Sequence, residues 1–442
     1  MKFEIRFILQ RLFFIGFWLA TCTGFVSDMI WGPDTISPIT TISHLIVDVI
    51  VLFLAFCTVR KIYDIILISV FVIISLVSTC LFNHSSFVSW FNGLRSFYGI
   101  LFIVPILRYF WATEYRHDLF VKSLDMQLYI FLWLQVPVVL FQFFMYGAGD
   151  YVGGTMGKGF SGVLSFAIYF VSFYLIKKRI DPNNILKSLS KNWIYIFLLF
   201  PTFLNETKIS FALIIVYFIL LMPIDRKYII RMTFLVPVVI ILVGVGNFFY
   251  SSTVDESQGK LKIDSEFFEE YFDADLETIE KAAEYAEKNE SESFDIPRLA
   301  KLGLMPMVFA ENPGHNLMGF GSNIYVQGTI MEITDFNKEY DWLLKGTSPH
   351  IFSTYLQLGI MGSIWMIVFF VSLFFIKPKH YQKRDYNAQL FFFIAILTLL
   401  IYADLWREIN FCYIMFLFLM LSWKKDKDNV TQLTSKSTLA SK

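Results

Sequence analysis

Stretches of about twenty apolar residues, the length one α-helix needs to cross a bilayer, recur along most of this chain. A segment surrounded by lipid must satisfy its backbone donors and acceptors internally, so such stretches fold as helices. Bounded by charge, they fall at 8–28, 41–59, 62–82, 94–112, 126–147, 159–176, 192–205, 208–224, 229–250, 350–376, 387–404 and 407–423. The expectation is an all-α, polytopic helical membrane protein of about 12 transmembrane helices with one large, partly helical extracytoplasmic loop. The seventh and eighth stretches are short and separated only by Asn205, Glu206 and Thr207, which leaves open a tight hairpin or a re-entrant pair. Composition agrees: 17% of the residues are charged, against about 25% in a soluble globular chain, and a cytosolic enzyme is excluded.

The zero net charge conceals an uneven distribution. Residues 251–349 hold twenty acids against eight bases, a charge of −12, and the remainder holds seventeen against twenty-nine, +12. Cytoplasmic loops retain lysine and arginine during insertion. With the N-terminus inside, twenty-five of the thirty-seven basic residues are cytoplasmic, and the short outer loops hold four, Arg95, Lys158, Lys208 and Arg407. Both termini are then cytoplasmic and the acidic segment lies outside. The first stretch is too long for a signal peptide and no small-residue cleavage motif closes it. The expected organisation is a bundle of about nine spans over 1–250, an acidic outer domain over 251–349, three further spans over 350–423, and a disordered cytoplasmic tail over 424–442. Cys22, Cys57, Cys80 and Cys412 all lie in apolar stretches, so neither a disulfide nor a thiolate metal site is expected.

The outer segment carries two helix signals. Leu276–Glu290 is rich in helix formers with apolar residues at Ile279, Ala283 and Ala286. Pro297 suits the first position of a second helix, the amphipathic Arg298–Glu311, which Asn312-Pro313-Gly314 breaks.

Motifs of soluble chemistry are thin. Gly153–Gly159 faintly resembles a phosphate loop, but its first glycine is misplaced and Gly159 stands where Ser or Thr is required. No His/Cys/Asp spacing suggests a metal, and no cofactor is expected. What remains is a set of scarce cations at one membrane level: Arg95, Lys208, Arg298 and Arg407. Singly, each could snorkel to headgroups or pair locally, Lys208 with Glu206 and Arg407 with Asp404 or Glu408. Together they suit a clamp for an anionic headgroup, because ionisable groups at membrane depth are costly and Arg forks onto phosphate oxygens. Of the histidines, His44, His84, His315 and His350 lie on the outer side. His350 opens a span behind Ser348-Pro349, placing an imidazole at the water–lipid boundary as a general base or, equally, as an interfacial cap. Glu206, Glu408 and His315 are secondary candidates.

These elements form a recognisable order. Arg298 opening an apolar helix, Glu311-Asn312-Pro313, Gly319-Phe320-Gly321-Ser322-Asn323, Ser348-Pro349-His350 and Gly359-Ile360-Met361-Gly362 together resemble the C-terminal half of bacterial O-antigen polymerases and ligases. Thr207-Lys208-Ile209-Ser210 resembles the start of an earlier span in that family, with lysine in place of arginine. The match departs at Ile351, where the family often has Asn, and at Gln357-Leu358, where it has an acid, which leans toward the more variable polymerases. The resemblance implies a metal-independent inverting glycosyltransferase embedded in the bacterial inner membrane. Its donor and acceptor would be polyprenyl-diphosphate-linked glycans, with membrane lipids and a chain-length regulator as further partners and no nucleic acid. Arg95, Lys208, Arg298 and Arg407 would then hold the diphosphate, and His350 would be the base. A ligase moving glycan to lipid A or protein, and a lipid-glycan flippase, are the alternatives; a transporter of this size usually shows internal repeats, and none is found.

Overall fold

The computed structural model describes residues 2–33, 35, 37–112, 117–147, 149–181, 185–205, 209–222, 298–325, 333–344, 346–375 and 381–425. The expected helix at 276–290 and the expected span at 229–250 lie outside them. The described chain is helical except for short turns and an antiparallel ribbon pairing Tyr381–Arg384 with Trp423–Lys425. Lys424 and Lys425, expected in the disordered tail, therefore belong to ordered structure. Pairing with a neighbouring strand, which hydropathy cannot register, orders them.

Five of the described helices are long and apolar enough to cross a membrane: α1 (Lys2–Trp31), α2 (Pro38–Thr58), α3 (Ile62–Leu76, continued by a π-helical turn Val77–Phe82), α6 (His117–Tyr146) and α14 (His350–Phe375). The expected span 94–112 is a bent pair instead. α4 (Phe87–Arg95) and α5 (Tyr98–Trp111) meet at 57° and would add a sixth crossing if counted as one. α7 (Ser161–Lys177), α8 to α11 (Ile185–Lys191, Trp193–Phe197, Pro201–Leu204 and Ile209–Leu221), α15 (Tyr386–Tyr402) and α16 (Ile409–Leu421) are apolar in varying degree and shorter.

What faces outward decides the environment. Phe56 is 89% exposed, Phe144 79% and Ile367 62%, and they belong to long apolar faces on α2, α6 and α14. A soluble monomer does not carry patches of this extent, so this is a membrane protein. The centre is just as apolar. On α16 every residue from Asn410 to Met420 is buried, and on α7 every residue from Val163 to Ile176. A helix apolar on all sides belongs inside a bundle. Close approach there needs missing side chains, since a Cβ on Gly99 of α5 would lie 2.8 Å from Cys412 Sγ of α16.

Two irregular segments fill gaps at one end of the bundle. The Gly153–Gly159 stretch is a turn buried through Gly157: Gln142 of α6 accepts from Gly154 N–H at 2.8 Å and donates to its carbonyl at 3.0 Å, and Gln135 accepts from Thr155 N–H at 3.0 Å. Two glutamine amides satisfy a backbone that has left helical geometry. The second segment, 312–325, joins α12 (Arg298–Glu311), α13 (Asp335–Leu344) and the first half of α14 around a separate small core that includes Leu304, Phe309, Phe320, Phe336, Leu343 and Phe352. This core carries the candidate site.

Candidate active site

α14 is interrupted at Gly359, whose φ is +62°. In a continuous helix the carbonyls of Leu356 and Gln357 would accept from the N–H groups of Ile360 and Met361. Here those carbonyls accept from Phe320 N–H at 2.7 Å and Gly321 N–H at 2.9 Å, while Ile360 and Met361 donate to the carbonyls of Asn316 (3.1 Å) and Leu317 (3.2 Å). The 316–321 segment has exchanged itself into the helix ladder, and all four helix groups remain paired. Glycine is required on both sides: a Cβ at Gly359 would sit 2.5 Å from the Leu317 carbonyl, and one at Gly319 2.5 Å from that of Gln357. Ser78 and Asn83, from and beside the π-helical turn, donate to the carbonyls of Gln357 and Gly319 at 3.0 and 3.1 Å. Gln357 donates to the Ser322 carbonyl at 3.0 Å. An amide donor at position 357 thus has a bond that a carboxylate could not make.

The knot fixes the first half of α14, which opens on His350. Its side chain is 1% exposed, and Nδ1 lies 2.5 Å from Asp404 Oδ1, in the turn between α15 and α16. A carboxylate only accepts, so a neutral imidazole places its proton on Nδ1 and leaves the Nε2 lone pair bare. Nε2 is buried with no hydrogen-bond partner among the described residues. Arg407 stands 3.6 Å from the other Asp404 oxygen, and its guanidinium lies 4.4 Å from the centre of the Tyr325 ring. Tyr325 donates to Ser353 at 3.2 Å. Burial is the main cause that pushes its hydroxyl up to about 12, against hydrogen bonds to Ser353 and Ser348 and the charge of Arg407, which lower it. From the first turn of α12, Arg298 packs 4.1 Å from the Tyr402 ring, and the fully buried Lys301 donates to Ser348 at 3.2 Å. The i, i+3 spacing places both cations on one face. Glu408 follows Arg407 directly and stands at the N-cap of α16.

Of the residues expected from sequence, His350, Arg407, Glu408 and Arg298 gather around this turn. Arg95 is bound to a carboxylate outside that turn. Its Nε and a terminal nitrogen lie 2.8 and 2.7 Å from Asp48 Oδ2, and it lines a different cavity of about 630 Å³ with His44 and Lys158. Of the four cations expected to form one clamp, Arg95 is thus engaged by a carboxylate of its own on α2. Lys208 and Glu206 lie outside the described residues. His315 stands apart from His350, its ring stacked on Phe320 at 4.5 Å, and burial lowers its pKa. Sequence reasoning treated Asp404 only as a local partner of Arg407, and overlooked Lys301 and Tyr325. Lys301 alone left a signal, three residues after Arg298 on an apolar helix.

No family model matches the chain, and no curated protein shows significant similarity to it.

Proposed function

We propose that this chain is a polysaccharide polymerase of about twelve spans in the bacterial cytoplasmic membrane, with both termini inside. In this reading it joins polyprenyl-diphosphate-linked repeat units at the outer face, and the His350 end of the bundle is outermost. The observation that carries the proposal is the pair His350–Asp404, a buried imidazole oriented through Nδ1 with Nε2 bare, beside the cations Arg407, Arg298 and Lys301. The order of motifs along the sequence supports the same reading.

In the reaction a hydroxyl oxygen of one lipid-linked glycan attacks the anomeric carbon of another. The bond from that carbon to the diphosphate oxygen breaks, the configuration inverts, and His350 Nε2 takes the hydroxyl proton. Arg407 and Arg298 stabilise the negative charge that grows on the departing polyprenyl diphosphate. Asp404 stabilises the imidazolium that forms.

Deletion of the gene should leave a single repeat unit on lipid A, and a plasmid copy should restore the ladder of longer chains. Loss of all surface glycan with lipid-linked polymer retained would instead identify a ligase. Orientation is checked separately: alkaline phosphatase fused after residue 290 should be active, and fused after residue 382 inactive.

A further inference from the structure

Beside the knot in α14 lies an open cavity of about 690 Å³, within the size range of small-molecule sites. Its wall is built from the amides of Asn312 and Asn323, the hydroxyls of Ser85 and Thr334, and the carboxylate of Glu339, with His315 at its edge. Rings run along its floor: His315 lies 4.5 Å from Phe320, Phe320 4.3 Å from Phe336, and Phe336 4.9 Å from Tyr340. Asn323 is 4% exposed and donates to Ser85 at 3.3 Å, yet its Oδ1 is buried with no partner among the described residues. His84, also in the wall, has φ +50°, the one non-glycine residue with positive φ among the described residues. Such strain persists where surrounding structure over-determines it, and it collects at ligand sites.

The chemistry selects a ligand class. A phosphate would meet two carboxylates, Asp335 and Glu339, and one ammonium, Lys338, already bonded to Asp335 at 2.7 Å. A purely apolar ligand would leave the polar side chains of the wall, Asn312, Thr334 and Glu339, without anything in the ligand to pair with. Neutral amides and hydroxyls around aromatic rings match a pyranose, which offers hydroxyls at its rim and C–H bonds on its faces.

We propose that this cavity is a carbohydrate subsite that holds glycan beside, and apart from, the cations that hold diphosphate. The identity of the glycan rests on the polymerase reading, whereas the chemistry of the cavity does not. Asn323 in the cavity and Tyr325 in the His350 cluster are two residues apart, about 7 Å at full extension. The cavity and the cluster around Arg407 are therefore neighbours along one short segment.

The test is saturation-transfer NMR on the full chain in nanodiscs, with oligosaccharides released by mild acid from the host cell's surface polysaccharide as the probe. Sugar protons should be saturated, inorganic pyrophosphate should not compete, and His44→Ala should bind as wild type does. Asn323→Ala should weaken binding at least tenfold. Because that residue is buried and its variant could misfold, His315→Ala and Glu339→Gln, both on the accessible wall, should weaken binding about three- to tenfold. No saturation in the wild type, or binding that survives all three changes, overturns the subsite. Should the glycan bind and these variants lose it while deletion leaves surface chain length unchanged, the subsite stands and the polymerase reading falls. Deletion that collapses the ladder while all three variants bind and polymerise normally would remove the subsite and keep the polymerase.

Discussion

Two places in this molecule combine one histidine, one aspartate and one arginine, and they do different things with them. On α2 and α4, Asp48 takes Arg95 at 2.7 and 2.8 Å, and His44 lies one turn earlier on the same helix face. At the α15–α16 turn, Asp404 takes His350 at 2.5 Å and leaves Arg407 at 3.6 Å. A carboxylate that binds the arginine makes a neutral strut between helices. A carboxylate that binds the imidazole fixes a tautomer, leaves a lone pair unpaired, and leaves the cation with capacity for another anion. Arg407 Nε has no hydrogen-bond partner among the described residues. The partner that the aspartate selects separates a packing triad from a chemical one.

Removing the imidazole should separate the two triads most sharply. General-base assistance is worth about 10²–10⁴-fold, so His350→Ala should lower polymer formation by that factor, while His44→Ala should stay within about threefold of wild type. Both are read as initial rates of chain growth on membranes holding equal amounts of protein. Equal losses in the two variants would mean that both triads serve structure. A His350→Ala defect that His350→Gln largely restores would mean that the ring positions the acceptor and does not take its proton.

Next comes the aspartate. Asp404→Asn keeps size and shape but can present its NH₂ to Nδ1, which moves the imidazole proton to Nε2 and blocks base function. A loss of about 10²-fold is expected, at the low end of the range for general-base catalysis, without loss of protein from the membrane. Wild-type turnover in Asp404→Asn would refute the orienting role.

Arg407→Ala should cost about 10- to 100-fold, because a hydrogen bond between charged partners is worth about 1.5–3 kcal/mol. Arg407→Lys should recover only part of that, since an ammonium lacks the planar fork. A rate in Arg407→Ala within twofold of wild type would leave the arginine as a partner of Tyr325 alone.

How much of this was legible in the sequence follows from the range of each interaction. The helix Arg298–Glu311 was readable to its ends, since Pro297 and Asn312-Pro313-Gly314 are local signals. The bend between Arg95 and Tyr98 was not, because hydropathy records composition and carries no direction. Gly359-Ile360-Met361-Gly362 was visible as a motif, but its role as a helix break depends on a hydrogen-bond exchange with residues about forty positions upstream. His350 could be singled out by its place at a span start, yet its partner Asp404 is fifty-four residues away and near enough to Arg407 to look spoken for. The partner of Arg95 was hidden for the opposite reason: Asp48 sits inside an apolar stretch, where a single acid reads as an interruption. Sequence shows that a scarce charge exists at a given depth, and only the fold shows which counter-charge reaches it.

The smallest expected effect on turnover tests the strut. Arg95→Ala leaves Asp48, 13% exposed, without its cation, and Asp48→Ala leaves Arg95 without its anion. Breaking one half of a buried pair strands the other charge and costs more than the pair itself is worth. Arg95 is 33% exposed, so water screens part of that cost, and each single change should lower stability by only about 1 kcal/mol, the lower end for an unsatisfied group. The double variant should lose clearly less than the sum of the singles, because it strands neither charge. Midpoints of thermal aggregation in detergent give the ranking, and chain growth in all three variants should remain within about twofold of wild type. A tenfold loss of growth in Arg95→Ala with an unchanged midpoint would return Arg95 to the diphosphate site and make the two triads parts of one machine.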